Sequence, residues 1–187
     1  MNKNEIKAEL TKEKLYKSYM NLYKKKDITK ITIKEITDSA GYNRGTFYLY
    51  FKDVYDIHEK MKKRLIFKAK DTLKTIGKEN NDISFEVLFK AIVSFYLKNE
   101  NDLLPLITKD NSFSSSIKLL LRPTLSEVLR KDLNNKYADY LIEYHITSVF
   151  GVINLWVLNK KNISVDELFG LLQKVIIKGV FTIIKEL

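Results

Sequence analysis

The chain has 187 residues, 45% of them hydrophobic, and a formal net charge of +10; this fits one domain, or a small domain fused to a medium one, with enough apolar content for a core. It has no cysteine, which excludes a disulfide framework, a thiolate metal site and a cysteine nucleophile. Six glycines and two prolines are too few for a loop-rich β protein and point to an all-α fold.

The first element is an amphipathic helix over 10–23, with Leu15, Tyr19, Leu22 and Tyr23 at helical spacing. Residues 27–31 form a short connection whose Ile28 and Ile31 plug a small core. Thr32-x-x-Glu35 is a capping-box pattern and starts a second helix, which Gly41 ends. Tyr42 and Asn43 complete a turn into a third helix over 44–50, with Phe47 and Phe51 as its core anchors. Asp53 caps a long fourth helix over 54–76, a rigid lever rather than a linker.

Beyond it, 77–82 is polar and breaks the pattern. Ser84 opens a helix that Asn99 to Asp102 interrupts, and 103–107 forms one short turn. A loop over 111–116 precedes a helix over 117–131, which Pro123 kinks or splits. A long helix follows over 137–158, and Ser164-x-x-Glu167 opens a final one reaching about residue 185. The final helix is apolar on nearly every side, so one side faces the core and the other a second subunit. Together with the 137–158 helix it predicts a four-helix homodimer interface. Its contacts are Tyr144, Ser148, Gly151, Leu155, Leu172, Ile176, Val180 and Ile183.

The charge is unevenly placed. Residues 1–78 hold 20 Lys and Arg against 10 Asp and Glu, and residues 79–187 hold 13 against 13. A basic module attached to a neutral one predicts a polyanion contact by the first part only. No N-terminal apolar run precedes a small-residue cleavage site, so no signal peptide is expected, and the apolar run 146–158 reads as too short and too polar to cross a bilayer. A cytoplasmic protein with no membrane partner is expected. The two histidines, His58 and His145, stand outside any nucleophile, phosphate-loop or metal motif. No catalytic residue, metal site or cofactor is predicted, and the chain reads as a non-enzyme.

The segment ITIKEITDSAGYNRGTFYLYFKD closely resembles the DNA-binding domain of the TetR/AcrR family of bacterial transcriptional regulators. The specific match covers roughly residues 10–57, and the remainder resembles the family only in architecture. The resemblance implies a three-helix DNA-binding domain over 1–54, with the helix-turn-helix at 32–51. It implies an effector-binding and dimerisation domain over 55–187, and about nine helices in all. Arg44, Gly45 and Thr46 would open the recognition helix at base edges, Arg44 reading guanine or holding a phosphate. Thr32, Lys34, Asn43, Tyr48, Leu49, Tyr50 and Lys52 complete the expected DNA contacts. Val54 stands where many members carry a basic residue. The implied function is a homodimeric repressor on a palindromic double-stranded operator, released by a small-molecule effector of unknown identity. The alternative is a co-activator or sequence-tolerant DNA-binding protein without such a ligand. Phe85, Phe89, Phe95, Tyr96, Phe113, Tyr144 and Trp156 are the aromatic residues able to line a pocket or fill a core.

Overall fold

The computed structural model describes residues 2–79, 84–130 and 138–178. Among these residues lie eight α-helices, one 3-10 turn at Ile28–Lys30 and no strand, an all-α architecture as expected. The helices are α1 (Lys3–Lys25), α2 (Ile33–Ala40), α3 (Arg44–Tyr48), α4 (Val54–Glu79), α5 (Phe85–Lys109), α6 (Asn111–Arg130), α7 (Ala138–Leu158) and α8 (Val165–Lys178). The chain divides into two compact units, residues 1–68 with 100–114, and residues 69–99 with 115–187.

In the first unit α1 starts earlier than its apolar pattern suggests. Asn2 Oδ1 accepts from the Asn4 and Glu5 amides, and Glu5 Oε2 accepts from Asn2 N, closing a capping box. Leu15, Tyr19 and Met20 of α1 are buried with Ile36 of α2, Phe47 of α3, Phe51, and Ile57 and Leu65 of α4. The Ser18 hydroxyl donates to Ile36 O at 2.8 Å, satisfying a buried carbonyl and tying α1 to α2.

The same unit holds a buried polar chain. The Tyr19 hydroxyl lies 2.6 Å from His58 Nδ1, and His58 Nε2 lies 2.8 Å from Asp110 Oδ2. With Asp110 ionised, Nε2–H donates to the carboxylate. Lys62 Nζ pairs with the same carboxylate at 3.1 Å. Asp110 Oδ1 accepts from the Phe113 amide at 2.9 Å and the Ser112 hydroxyl at 2.6 Å. Asp110 is therefore the N-cap of α6, and α6 begins at Asn111 where a loop was expected. Burial pushes the Tyr19 hydroxyl far up, so it stays protonated. His58 is thus a structural histidine.

The second unit packs Leu88, Leu125, Ile142 and Ile146 together, with Leu73, Ile92 and Phe150 against them. Phe89 and Phe169 meet with ring centroids 5.2 Å apart. Trp156 Nε1 donates to Ile163 O at 2.8 Å, bracing the turn between α7 and α8. In that turn Lys160 and Lys161 take φ of 56° and 57°, a region that disfavours side chains with a Cβ. Ser164 and Glu167 form the expected capping box at the start of α8.

Other boundaries differ from the sequence expectation. α4 runs through Gly77 to Glu79 without a break. α5 is interrupted at Asn99, as expected, by a kink whose φ of −117° and ψ of 15° leave the helical region, but the helix then resumes to Lys109 rather than forming one short turn. Asn99 Nδ2 donates to Phe95 O at 2.8 Å and so supplies a donor where the ladder is disturbed. α6 continues through Pro123 rather than splitting there. Asp139–Leu158 of α7 is 20 residues long with a mean hydropathy of 1.4, long and apolar enough to cross a membrane by length and composition. The test of 146–158 alone missed this. The face carrying Ile142, Ile146, Val149 and Ile153 is buried within the unit, and a core helix passes the same length and composition test.

Candidate nucleic-acid interface

The helix-turn-helix is built from local caps. The Thr32 hydroxyl accepts from the Glu35 amide at 3.3 Å, and Glu35 Oε2 accepts from the Thr32 amide at 3.0 Å. The other Glu35 oxygen lies 2.6 Å from Lys26 Nζ. The bonds from Lys26 and Thr32 bring the Glu35 carboxyl down to about 2, so the box stays ionised. α2 then ends at Gly41, whose φ of 74° is the left-handed conformation that glycine adopts freely. Its amide donates to Asp38 O and the Tyr42 amide to Thr37 O, satisfying the last carbonyls of the helix.

Asn43 caps α3. Its Oδ1 accepts from Thr46 N at 2.8 Å and lies 3.1 Å from Thr46 Oγ1. A Cβ on Gly45 would approach this oxygen to 3.2 Å, so glycine here leaves room for the cap. The expected groove contact of Gly45 thus has a second, structural reason. α3 ends at Tyr48 rather than at residue 50. Tyr50 N donates to Phe47 O at 3.0 Å, a tighter closing turn.

The α3 face is divided cleanly. Phe47 is fully buried and Phe51 is 2% exposed, with their ring centroids 5.4 Å apart; they are core, as expected. Tyr16 packs edge-on against Phe51 at 5.2 Å. Tyr48 and Leu49 are exposed, at 58% and 76%. Arg44, Gly45, Asn43, Thr32, Lys34 and Lys52 are exposed, and Thr46 and Tyr50 are half-buried. Lys34 pairs with Asp38 at 2.8 Å across one helical turn. Lys12 Nζ lies 5.8 Å from the Tyr50 ring centroid, and Lys14 Nζ lies 5.8 Å from that of Tyr42. Lys12 and Lys14 stand beside the predicted contacts but were not among them. Their signal was only their place on the polar side of α1. An exposed helix face held on an aromatic core, carrying Arg44 and flanked by lysines of neighbouring segments, suits a phosphate-lined groove.

The expected subunit-contact residues are spread more widely. Tyr144 and Leu155 of α7 are 55% and 57% exposed, Gly151 is exposed and Ser148 half-buried. Tyr140 and Leu158 extend this exposed apolar stripe at helical spacing, and the sequence reading omitted them. Leu172 differs from the α7 residues. It is 5% exposed within its own unit, because it lies on the side of α8 with Leu168 and Phe169. The Ile176 side chain, Val180 and Ile183 lie outside the described residues.

Of the aromatic candidates, Phe89 lines a cavity of about 20 Å³ in the second unit. Its other walls are Leu88, Ile92, Leu121, Leu125, Ile146, Val149 and Phe150. Phe113 and Trp156 are core, and Tyr144 is on the surface. Among the described residues no group of three or more His, Cys, Asp or Glu is placed to hold a metal ion.

Residues 15–57 match the model of the bacterial regulatory proteins of the tetR family. No curated protein sequence matches the chain. Among solved structures, a Clostridium perfringens protein described as a fatty acid metabolism regulator is similar, with a TM-score of 0.71 and 17% identity over 89% of this chain and 98% of that one. A fatty acid degradation regulator, FadR, of Bacillus halodurans gives 0.64 and 15% over 91% and 96%. A TetR transcriptional regulator of Streptococcus agalactiae 2603V gives 0.64 and 19% over 90% and 94%. At these identities the likeness establishes the fold over nearly the whole chain.

Proposed function

We propose that this chain, a TetR-family DNA-binding transcriptional regulator, acts as a homodimeric repressor that grips a palindromic operator and releases it when a small apolar molecule binds. The observation that carries the reading is the divided face of α3. Arg44, Gly45, Tyr48 and Leu49 are exposed while Phe47 and Phe51 are buried beneath them. Arg44 and Thr46 would meet base edges from the start of the helix, with Asn43 and Leu49 beside them. Thr32, Lys34, Tyr48, Tyr50 and Lys52 would hold phosphates and fix register. The excess positive charge of residues 1–78 would draw in the duplex.

The exposed stripe Tyr140, Tyr144, Leu155 and Leu158 on α7 supports a symmetric interface with a second copy. Leu155→Glu should convert the dimer to monomer in sedimentation; an unchanged dimer would place the interface elsewhere. A dimer would set two recognition helices into successive major grooves, which is why a palindrome is expected. A cytoplasmic location follows from a chromosomal target.

For the effector, an acyl chain suits a cavity walled entirely by apolar side chains, and two structural relatives are described as fatty acid regulators. At about 20 Å³ the cavity must widen, since small-molecule sites reach roughly 300–1,000 Å³. The test is selection of duplexes from a random library by the full-length chain, followed by footprinting. One protected palindrome supports the reading, and uniform protection refutes it. With about four phosphates neutralised per subunit, log K should fall with log salt at a slope near −7 for the dimer. Palmitate and palmitoyl-coenzyme A, added to the selected complex, should weaken it; unaltered affinity with both would refute the acyl effector alone.

A further inference from the structure

α3 has five residues, far below the length at which a helix holds itself together in water. Its first turn is secured by Asn43 and its underside by Phe47. Its exit remains, where helix carbonyls lack intrahelical donors. Two side chains from α4 reach this place. Lys60 Nζ donates to Tyr50 O at 2.9 Å and to Asp56 Oδ2 at 2.9 Å. The same carboxylate oxygen accepts from the Lys52 amide at 2.9 Å. The Asp56 amide donates in turn to Asp53 Oδ1 at 2.8 Å, the cap of α4. The Lys60 ammonium also stands 5.4 Å from the Phe51 ring centroid.

We infer that Lys60 and Asp56 form a positioning clamp that fixes the trailing end of the recognition helix, so that Tyr48, Leu49 and Lys52 meet DNA in one register. The clamp joins backbone groups on both sides of Phe51 to the first two turns of α4. A cation at the end of α3 also complements the partial negative charge of its carbonyls. Burial works to raise the Asp56 carboxyl, but the bonds from Lys60 and Lys52 outweigh it and hold it below the ordinary range. The ionised form that accepts both bonds is therefore the resident one. Two of the three ammonium protons are committed within the protein, which favours a positioning role for Lys60 over a phosphate contact.

The inference rests on the DNA-binding reading for its consequence but not for its geometry, and the test separates the two. Full-length Lys60→Met keeps the aliphatic stem and removes the donor; Lys60→Arg keeps charge and donors. In the free protein, amide exchange at Tyr50, Phe51 and Lys52 should rise about tenfold in Lys60→Met while Thr46 stays protected. Lys60→Arg should restore most of that protection. On DNA, the ratio of affinities for the wild-type-selected duplex and a base-scrambled duplex of equal length should fall about five- to tenfold in Lys60→Met, with the salt slope unchanged. Unaltered exchange at the three amides overturns the clamp whatever the DNA result. An equal loss on both duplexes, with the slope reduced by about one, also overturns it and makes Lys60 a phosphate contact.

Discussion

Replacing Asp110 by alanine removes four bonds at once. Its carboxylate accepts from the Phe113 amide, the Ser112 hydroxyl, His58 Nε2 and Lys62 Nζ. Loss of the α6 cap alone is worth about 1 kcal/mol. His58, 7% exposed, would keep its Tyr19 bond but leave a buried N–H without an acceptor, at about 1–3 kcal/mol. Lys62 retains Glu59 at 2.7 Å and adds little. The sum is about 2–4 kcal/mol, which for a chain of this length lowers Tm by roughly 5–15 °C. Thermal unfolding followed by circular dichroism at neutral pH measures it. Asp110→Asn, which keeps an acceptor for the Phe113 amide, should fall between alanine and wild type. A shift for Asp110→Ala below about 2 °C would mean that the buried chain from Tyr19 to Asp110 adds nothing to the fold, refuting its place as a structural tie.

Acid should act through the same carboxylate. Burial works to raise Asp110, but the bonds from Ser112, His58, Phe113 and Lys62 hold it well below its ordinary value of 3.8. A depressed folded pKa gives stabilisation that is complete above the unfolded value and lost as pH falls through the folded one. Below pH 3.8, wild-type Tm should therefore fall more steeply than that of Asp110→Ala; parallel curves would show that the carboxylate is not held down. Gly41→Ala places a side chain at φ 74° with open space around its Cβ, so a backbone penalty of about 1 kcal/mol is expected without a clash. Denaturant titration would read it as a lower midpoint at constant slope. Arg44→Ala should weaken binding to the selected duplex by about 1–3 kcal/mol per half-site and relax sequence preference; full retention of affinity would remove Arg44 from the interface.

What sequence reading recovered here was mostly local. Thr32 with Glu35, Gly41, Asp53 and Ser164 with Glu167 are caps whose partners lie within a few residues, so the pattern and the bonds coincide. The Asn2 and Glu5 box carried the same kind of signal, yet the weak apolar pattern of the first turns drew the boundary too late. Long-range partners were invisible. Nothing in the sequence joins His58 to Asp110; the Asp110 cap of α6 is local, with Phe113 three residues on, and was missed because 111–116 read as a loop. Nothing in the sequence set Lys60 apart, because its partner Tyr50 O lies in another element. Leu172 shows the limit of periodicity. A helix apolar on many sides does not say which side its own chain will cover.

The brevity of α3 limits how much text this protein can read. On the proposed reading, a helix of five residues would bring only its first turn to the base edges, so each copy would distinguish a short word. A short word recurs by chance throughout a chromosome, whereas the same word written twice at a fixed spacing does not. Selectivity would then be a property of the pair, and a change that alters only the distance between two readers could silence the message without touching a letter of it.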